Sequence, residues 1–395
     1  MPLSGASSQL SALIILTAVF YLNFFSRIIF SPLLPSIEQN LSISHGTAGS
    51  FFLILSCGYF TSLVGSGYIS SNLSHKKTII FSMFAISASL FLIASVTTLI
   101  YLQSAFFILG MAAGIYLPSG ISTISALFSQ NQWGRAFAVH ELAPNLAFLT
   151  APLFSSFFVS HLHWQQIIII LAIASFLSAL FYIRFGRGEN LFGEPPSLAN
   201  SRAILFQKNF ILLTLLFSMG ITGTIGVFNV LPLFLVTSHF ITLQDANLMV
   251  GLSRIATLFS ALAGGWLADR FGNRRTICGV LLTTGISTVC IGLTHGISMI
   301  IWIYLQPVLA VCFFPAGFAL LSRLGTPETR NIVISLAVPL AFVLGGGLLP
   351  ALVAGMADAG FFHTGLILMG IFISSGSVFI FFLQYKGVNE NTACE

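Results

Sequence analysis

Twelve apolar runs of about 20 residues or more follow one another along the chain, each long enough to cross roughly 30 Å of hydrocarbon. They fall near 10 to 36, 47 to 70, 77 to 98, 100 to 128, 136 to 160 and 164 to 185, then near 209 to 238, 246 to 268, 276 to 297, 299 to 322, 331 to 355 and 361 to 385. Too little chain remains between them to coat a water-soluble fold: 56% of the 395 residues are hydrophobic, 6% are charged, and the mean hydropathy is +0.98. In lipid each segment must satisfy its own backbone hydrogen bonds, which a helix of this length does. The chain therefore reads as an all-α integral membrane protein. Its first run is expected to stay as a span, being too long for a cleaved leader and carrying Arg27.

The longest polar stretch, Gly186 to Lys208, falls midway and holds Arg187, Glu189, Glu194, Pro195, Pro196, Arg202 and Lys208. It predicts one six-helix bundle over residues 1–186, a cytoplasmic linker over 187–208 and a second six-helix bundle over 209–395. A repeat at nearly half the chain length supports the division. The loop Gly264-Gly265-Trp266-Leu267-Ala268-Asp269-Arg270-Phe271-Gly272-Asn273-Arg274-Arg275 has a degraded copy 198 residues upstream, where Gly67 answers Gly265 and Lys76-Lys77 answers Arg274-Arg275. Pro35 pairs with Pro232, and Pro118 with Pro315, at nearly the same offset.

The pattern Gly265, Asp269-Arg270, Gly272, Arg274-Arg275, between the second and third helix of a six-helix half, resembles the loop signature of the major facilitator superfamily. The upstream copy departs from it, with Ser71 at the acid and Ser74 at the glycine. The resemblance implies twelve transmembrane helices in two pseudo-symmetric bundles, both termini cytoplasmic, and transport by alternating access. It further implies a cytoplasmic gate in which Asp269, Arg270 and Arg274 take part, in the second half only. A fold of this kind does not choose a substrate.

Orientation follows from the basic residues. With the amino terminus inside, Lys76, Lys77, Arg135, Arg184, Arg187, Arg202, Lys208, Arg270, Arg274, Arg275, Arg323, Arg330 and Lys386 all fall on the cytoplasmic side, while Glu38, Asp245 and Asp358 are expected in outer loops. The pI of 9.1 is thus accounted for by topology, and no nucleic-acid partner is implied. The five cysteines are scattered and form no disulfide or metal pattern. Short extramembrane segments suit a bacterial inner membrane, and a monomer in the lipid bilayer is the expectation.

The two basic residues left over are Arg27, inside the first run, and Arg254, inside the eighth. An arginine at mid-bilayer costs about 2.5 to 3.5 kcal/mol on insertion scales, so each must face a cavity or a partner. Counted at about 1.5 Å per residue, Arg27 lies roughly 16 Å in from Glu38 and Arg254 roughly 14 Å in from Asp245. In the resembled family the first and eighth helices both contribute to the central cavity, which implies that the two guanidiniums approach one site. Paired arginines present planar forks of donors that suit a carboxylate, phosphate or sulfonate. The competing reading is that they only brace helices. Asn23 and Ser31 flank Arg27 at i−4 and i+4 and are expected on its face.

Among the acids only Glu141, beside His140, lies well inside a run. Two readings stand equally: a proton-coupling carboxylate with His140 as relay, or an inner gate or helix tie. Asn23, Tyr116, Asn229 and Gln306 are candidate neutral substrate contacts. Tyr59, Asn145 and Trp302 are further polar positions, and each such residue reads equally well as packing glue. Pro144, Pro152, Pro232, Gly345-Gly346-Gly347 and Pro350 offer hinges or close packing. No phosphate-binding loop, no Gly-Lys-Ser or Gly-Lys-Thr and no metal-ligand spacing occurs, so neither enzyme nor ATP-driven pump is expected, and no cofactor. The expectation is a proton-coupled symporter of a small organic anion. An anion exchanger, an exporter of hydrophobic compounds and a non-transporting membrane protein are the alternatives.

Overall fold

The computed structural model describes residues 6–188, 191–193, 205–321 and 330–383, and every element among them is helical. Eleven helices are long and apolar enough to span a bilayer: α1 (Ser8–Leu41), α2 (His45–Asn72), α3 (His75–Ser95), α4 (Leu99–Leu127), α6 (Trp164–Phe185), α7 (Lys208–His239), α8 (Leu243–Phe271), α9 (Asn273–Leu293), α10 (Gly296–Leu321), α11 (Leu336–Asp358) and α12 (Phe362–Phe382). The remaining crossing, α5, is made of two pieces, Trp133–His140 and Leu142–Phe158. Pro144 lacks the N–H that would bond the carbonyl of His140, and the helix parts at Glu141. Twelve traverses bring Ala6 and Leu383 to one face, here the terminal face; Gln9 Nε2 bonds the Leu127 carbonyl there at 2.9 Å.

Lys76, Lys77, Arg135, Arg184, Arg187, Lys208, Arg270, Arg274 and Arg275 lie towards the same face. Arg202, Arg323 and Lys386 fall outside the described residues, as do the side chain of Arg330 and most of the expected linker. The described start of that linker runs along the degraded loop copy: Leu191 and Gly188 carbonyls accept from His75 N and Lys76 N, and Gly193 N donates to Ser70 O. The spans also run longer at the far face than the hydropathy runs suggest. Glu38 is therefore no loop residue; it sits in the last turn of α1 and is buried.

Three further interruptions shape the interior. α8 opens into turns over 253–256, where Arg254 N bonds back only to Gly251 O, and the hydroxyls of Ser253 and Thr257 take up the carbonyls of Val250 and Arg254. α7 carries a π-helical turn at Thr222–Gly226, and α11 carries one at Val343–Leu348. These two press backbone against backbone: a Cβ on Gly345 would come within 2.3 Å of the Ser218 carbonyl. The glycine triplet of α11 thus serves close packing, and such π turns recur at functional sites. Elsewhere α2 and α4 meet through Gly58 and Gly110, where an added Cβ would lie 2.1 Å from Phe107 O and from Leu55 O respectively.

At the face away from the termini the first six spans are bonded to the last six. Ser31 Oγ donates to Phe228 O at 2.7 Å, Asn247 Nδ2 to Pro32 O at 3.0 Å and Ser156 Oγ to Gln244 O at 2.9 Å. His45 N and Gly46 N both donate to Asp358. This far face is shut.

Candidate functional site

Arg27 lies two residues before the interruption of α1 at Ile29, and Arg254 lies inside the break of α8. Both are buried, at 7% and 2% exposure, and in each the Nε has no hydrogen-bond partner. Among the described residues neither forms an ion pair with an acid. Rings stand in for the missing charge. The Arg27 guanidinium lies 4.7 Å from the centre of Phe24 and 4.4 Å from that of Tyr59, and Arg254 lies 4.9 Å from Phe148 and 5.0 Å from Phe228. Phe148 also touches Phe24 and Phe228, at 5.2 and 5.0 Å between ring centres. One aromatic layer therefore joins the two cations across the two sets of spans.

The cations are not equivalent. A cavity of about 30 Å³ opens beside Arg27, lined by Arg27, Asn229, Phe24, Phe52, Tyr59 and Phe342 among others, and Arg254 is not in its wall. Arg254 instead donates from Nη2 to the Thr224 carbonyl, in the π turn of α7, at 3.2 Å. Asn229 keeps a place at the cavity while its Nδ2 bonds Gly346 O, in the π turn of α11, at 2.9 Å.

The other polar candidates turn to neighbouring helices. Asn23 Nδ2 donates to Ala113 O, Ser31 Oγ to Phe228 O, and Gln306 Nε2 to Gly223 O and Thr288 Oγ1. Asn23 thus reaches α4 and Ser31 reaches α7, on either side of the interruption at Ile29. Tyr116 donates to Leu16 O and meets His140 Nε2 at 3.1 Å, with the His140 ring stacked on Phe20 at 4.4 Å. His140 is fully buried, whereas Glu141, at the break of α5, is 60% exposed, its Oε1 3.7 Å from His140 Nδ1. Asn145 Nδ2 bonds the Glu141 carbonyl at 3.1 Å, beside the break.

At the terminal face Arg274 donates to the carbonyls of Ile380, Phe381 and Leu383, fastening the α8–α9 turn to the end of α12. Arg270 lies over Trp266 and Phe271, and among the described residues Asp269 forms no ion pair. Phe24, Phe148 and Phe228 were not singled out from sequence. Only Phe24, at i−3 from Arg27, carried a local signal; the other two are lost among 40 phenylalanines.

A family model described as Major Facilitator Superfamily matches residues 16–241 and 210–393. The chain belongs to this superfamily. It is accordingly a multi-pass integral membrane protein of a transporter family. Among its superfamily relatives, the agnestins efflux protein AgnL12 of Paecilomyces divaricatus is 23% identical over 353 residues, covering 86% of this chain and 77% of that one. A probable nitrate transporter, NarT, of Staphylococcus epidermidis is 22% identical over 263 residues, covering 66% and 67%. Of solved superfamily structures, a bacterial homologue of the human lysosomal transporter Spinster, inward-facing and occupied, matches with a TM-score of 0.82 at 15% identity over 96% of this chain and 97% of that one. A POT family transporter in complex with a thioalcohol-conjugated peptide matches with a TM-score of 0.78 at 15% identity, over 94% and 95%. At such identities the structural likeness speaks for the fold alone.

Proposed function

We propose that this member of the superfamily is a secondary transporter of a small organic anion, a carboxylate foremost, working by alternating access with proton symport. The observation that carries the proposal is Arg27: a buried guanidinium at a cavity wall, its Nε unpartnered, with no carboxylate paired to it among the described residues. A buried charge left uncompensated is costly, and an anionic substrate supplies the missing partner. Arg27 and Asn229 would touch the anion, and the apolar rings beside them would hold its remainder. Arg254 adds positive potential through the shared aromatic layer, while Asn23, Tyr116 and Gln306 hold the helices that shape the cavity. A carried proton offsets the charge of a monovalent anion moving against an inside-negative potential, worth about 2.3 kcal/mol per charge per 100 mV. Glu141, exposed at the break of α5 with His140 behind it, is the proposed proton carrier.

The terminal face, with its basic residues, would be cytoplasmic by the positive-inside rule, in a bacterial inner membrane. One matched relative bears the name of a probable nitrate transporter, which agrees with an anion. Export of apolar compounds is the second reading, favoured by the phenylalanine-rich cavity wall and by the relative named as an efflux protein.

A thermal-shift screen of the purified protein against small anions, with matched neutral and cationic compounds, tests both. Ligands that bind only the folded state raise its melting temperature. Shifts confined to anions and abolished in Arg27→Ala support the anion site. Shifts from apolar or cationic compounds that survive Arg27→Ala and Arg254→Ala would replace it with the exporter.

A further inference from the structure

Glu38 is 8% exposed, with Oε2 2.8 Å from His45 Nδ1 and Oε1 buried without a partner. Asp358 approaches the same histidine from the other set of spans, its two oxygens accepting from His45 N at 2.7 Å and Gly46 N at 2.9 Å, at the start of α2. The backbone there is shaped for the carboxylate: a Cβ on Gly46 would stand 2.8 Å from Asp358 Oδ2 and 3.0 Å from Gly355 Cα. Closing the far face therefore gathers two carboxylates at one histidine, Glu38 on its imidazole and Asp358 on its backbone N–H, at a contact that must part if that face is to open.

We propose that Glu38, His45 and Asp358 form a proton-binding latch, which holds the far face shut most tightly when the Glu38–His45 pair carries an added proton. In the shut state the charge of Asp358 lies beside that pair and favours the proton; in the open state Asp358 has left with the other spans and the proton is held more weakly. By linkage, a proton bound more tightly by the shut state stabilises that state as the pH falls. Among the described residues no other titratable group on the packed elements faces the pair. His163 on the α5–α6 loop lies across Ser36, Gln39 and Asn40, on another side of α1. His239 and His363, on α7 and α12, turn their rings to each other and to His295, at 5.4 to 5.7 Å. Asp245 on α8 is closed onto Thr242 of its own cap. Phe362 lies beyond the His45 ring, at 6.5 Å between centres.

The latch rests on alternating access and not on the identity of the substrate, so its test uses none. Spin labels at Thr97→Cys, on the α3–α4 loop, and Ser298→Cys, in the first turn of α10, both at the far face, report the opening by pulsed electron resonance, with the five native cysteines replaced by serine. Acidification from about pH 8.5 to about pH 5 should enlarge the short-distance population, by about tenfold in the shut-to-open ratio, as one state-dependent proton allows. Glu38→Gln should flatten this response while leaving the far face mostly shut. Asp358→Asn should flatten it and shift the population towards open. A response equal in the native protein and both variants, no response in the native protein, or opening on acidification would overturn the latch. Arg27→Ala should leave the titration unchanged, so loss of the anion site and loss of the latch are separately visible.

Discussion

The Nη2 of Arg254 stands 3.2 Å from the carbonyl of Thr224, so that a cation in the break of α8 holds an oxygen of the π turn in α7. The same π turn packs on that of α11 through Gly226 and Gly345, and α11 in turn holds Asn229 at the cavity. Arg254 is thereby tied into the framework that presents the cavity wall, while Arg27 faces the cavity itself.

The two arginines should respond oppositely to replacement. Arg254→Ala leaves the buried Thr224 carbonyl without its partner and should destabilise the ligand-free protein by about 1–3 kcal/mol. Arg27→Met removes an uncompensated charge from an apolar wall and should leave the melting temperature level or higher, as replacing buried charges by apolar groups often does, while abolishing anion-induced shifts. Melting curves of both variants, with and without anions, check the pair of outcomes.

Gly58→Ala should weaken the contact of α2 with α4, because its Cβ would enter the Phe107 carbonyl at 2.1 Å and the backbones must part. Overpacking of this kind costs about 1–3 kcal/mol. Gly65→Ala, on the same helix with nothing within 4 Å of its Cβ, is the matched control and should melt like the native protein.

Glu141→Gln should keep anion-induced stabilisation and lose the proton movement that accompanies uptake into liposomes. Because Glu141 is exposed at a helix break and Arg27 is elsewhere, binding and coupling are separable here. Proton flux equal to that of the native protein would assign Glu141 to the α5 break alone.

Arg274→Lys should loosen the end of α12. One ammonium cannot reproduce a guanidinium that reaches the carbonyls of Ile380, Phe381 and Leu383 together. Hydrogen exchange of the backbone over 379–383 should quicken, while that of the far-face start of α12 stays as it was.

The run lengths by themselves determined the number of crossings, because hydrocarbon thickness and helical rise leave one way to divide such a chain. They also exposed Arg27 and Arg254 as residues out of place, since few charges interrupt these runs. Pro144, read as a hinge or a close-packing position, stands beside the break in α5, but nothing local announced the turns at 253–256 or the two π turns. Those depend on partners from other helices: Arg254 on Thr224, Asn229 on Gly346 and the Gly226–Gly345 contact. Tertiary structure alone decided that Asn23, Tyr116 and Gln306 turn to neighbouring backbones while Tyr59 and Asn229 reach the cavity, and that Glu38 is buried beside His45 rather than free in a loop. The physical reason is rotational: a helix apolar on all sides has no periodic stripe to mark its inner face. Which way each rare polar side chain points is fixed only when the neighbouring helices are packed around it.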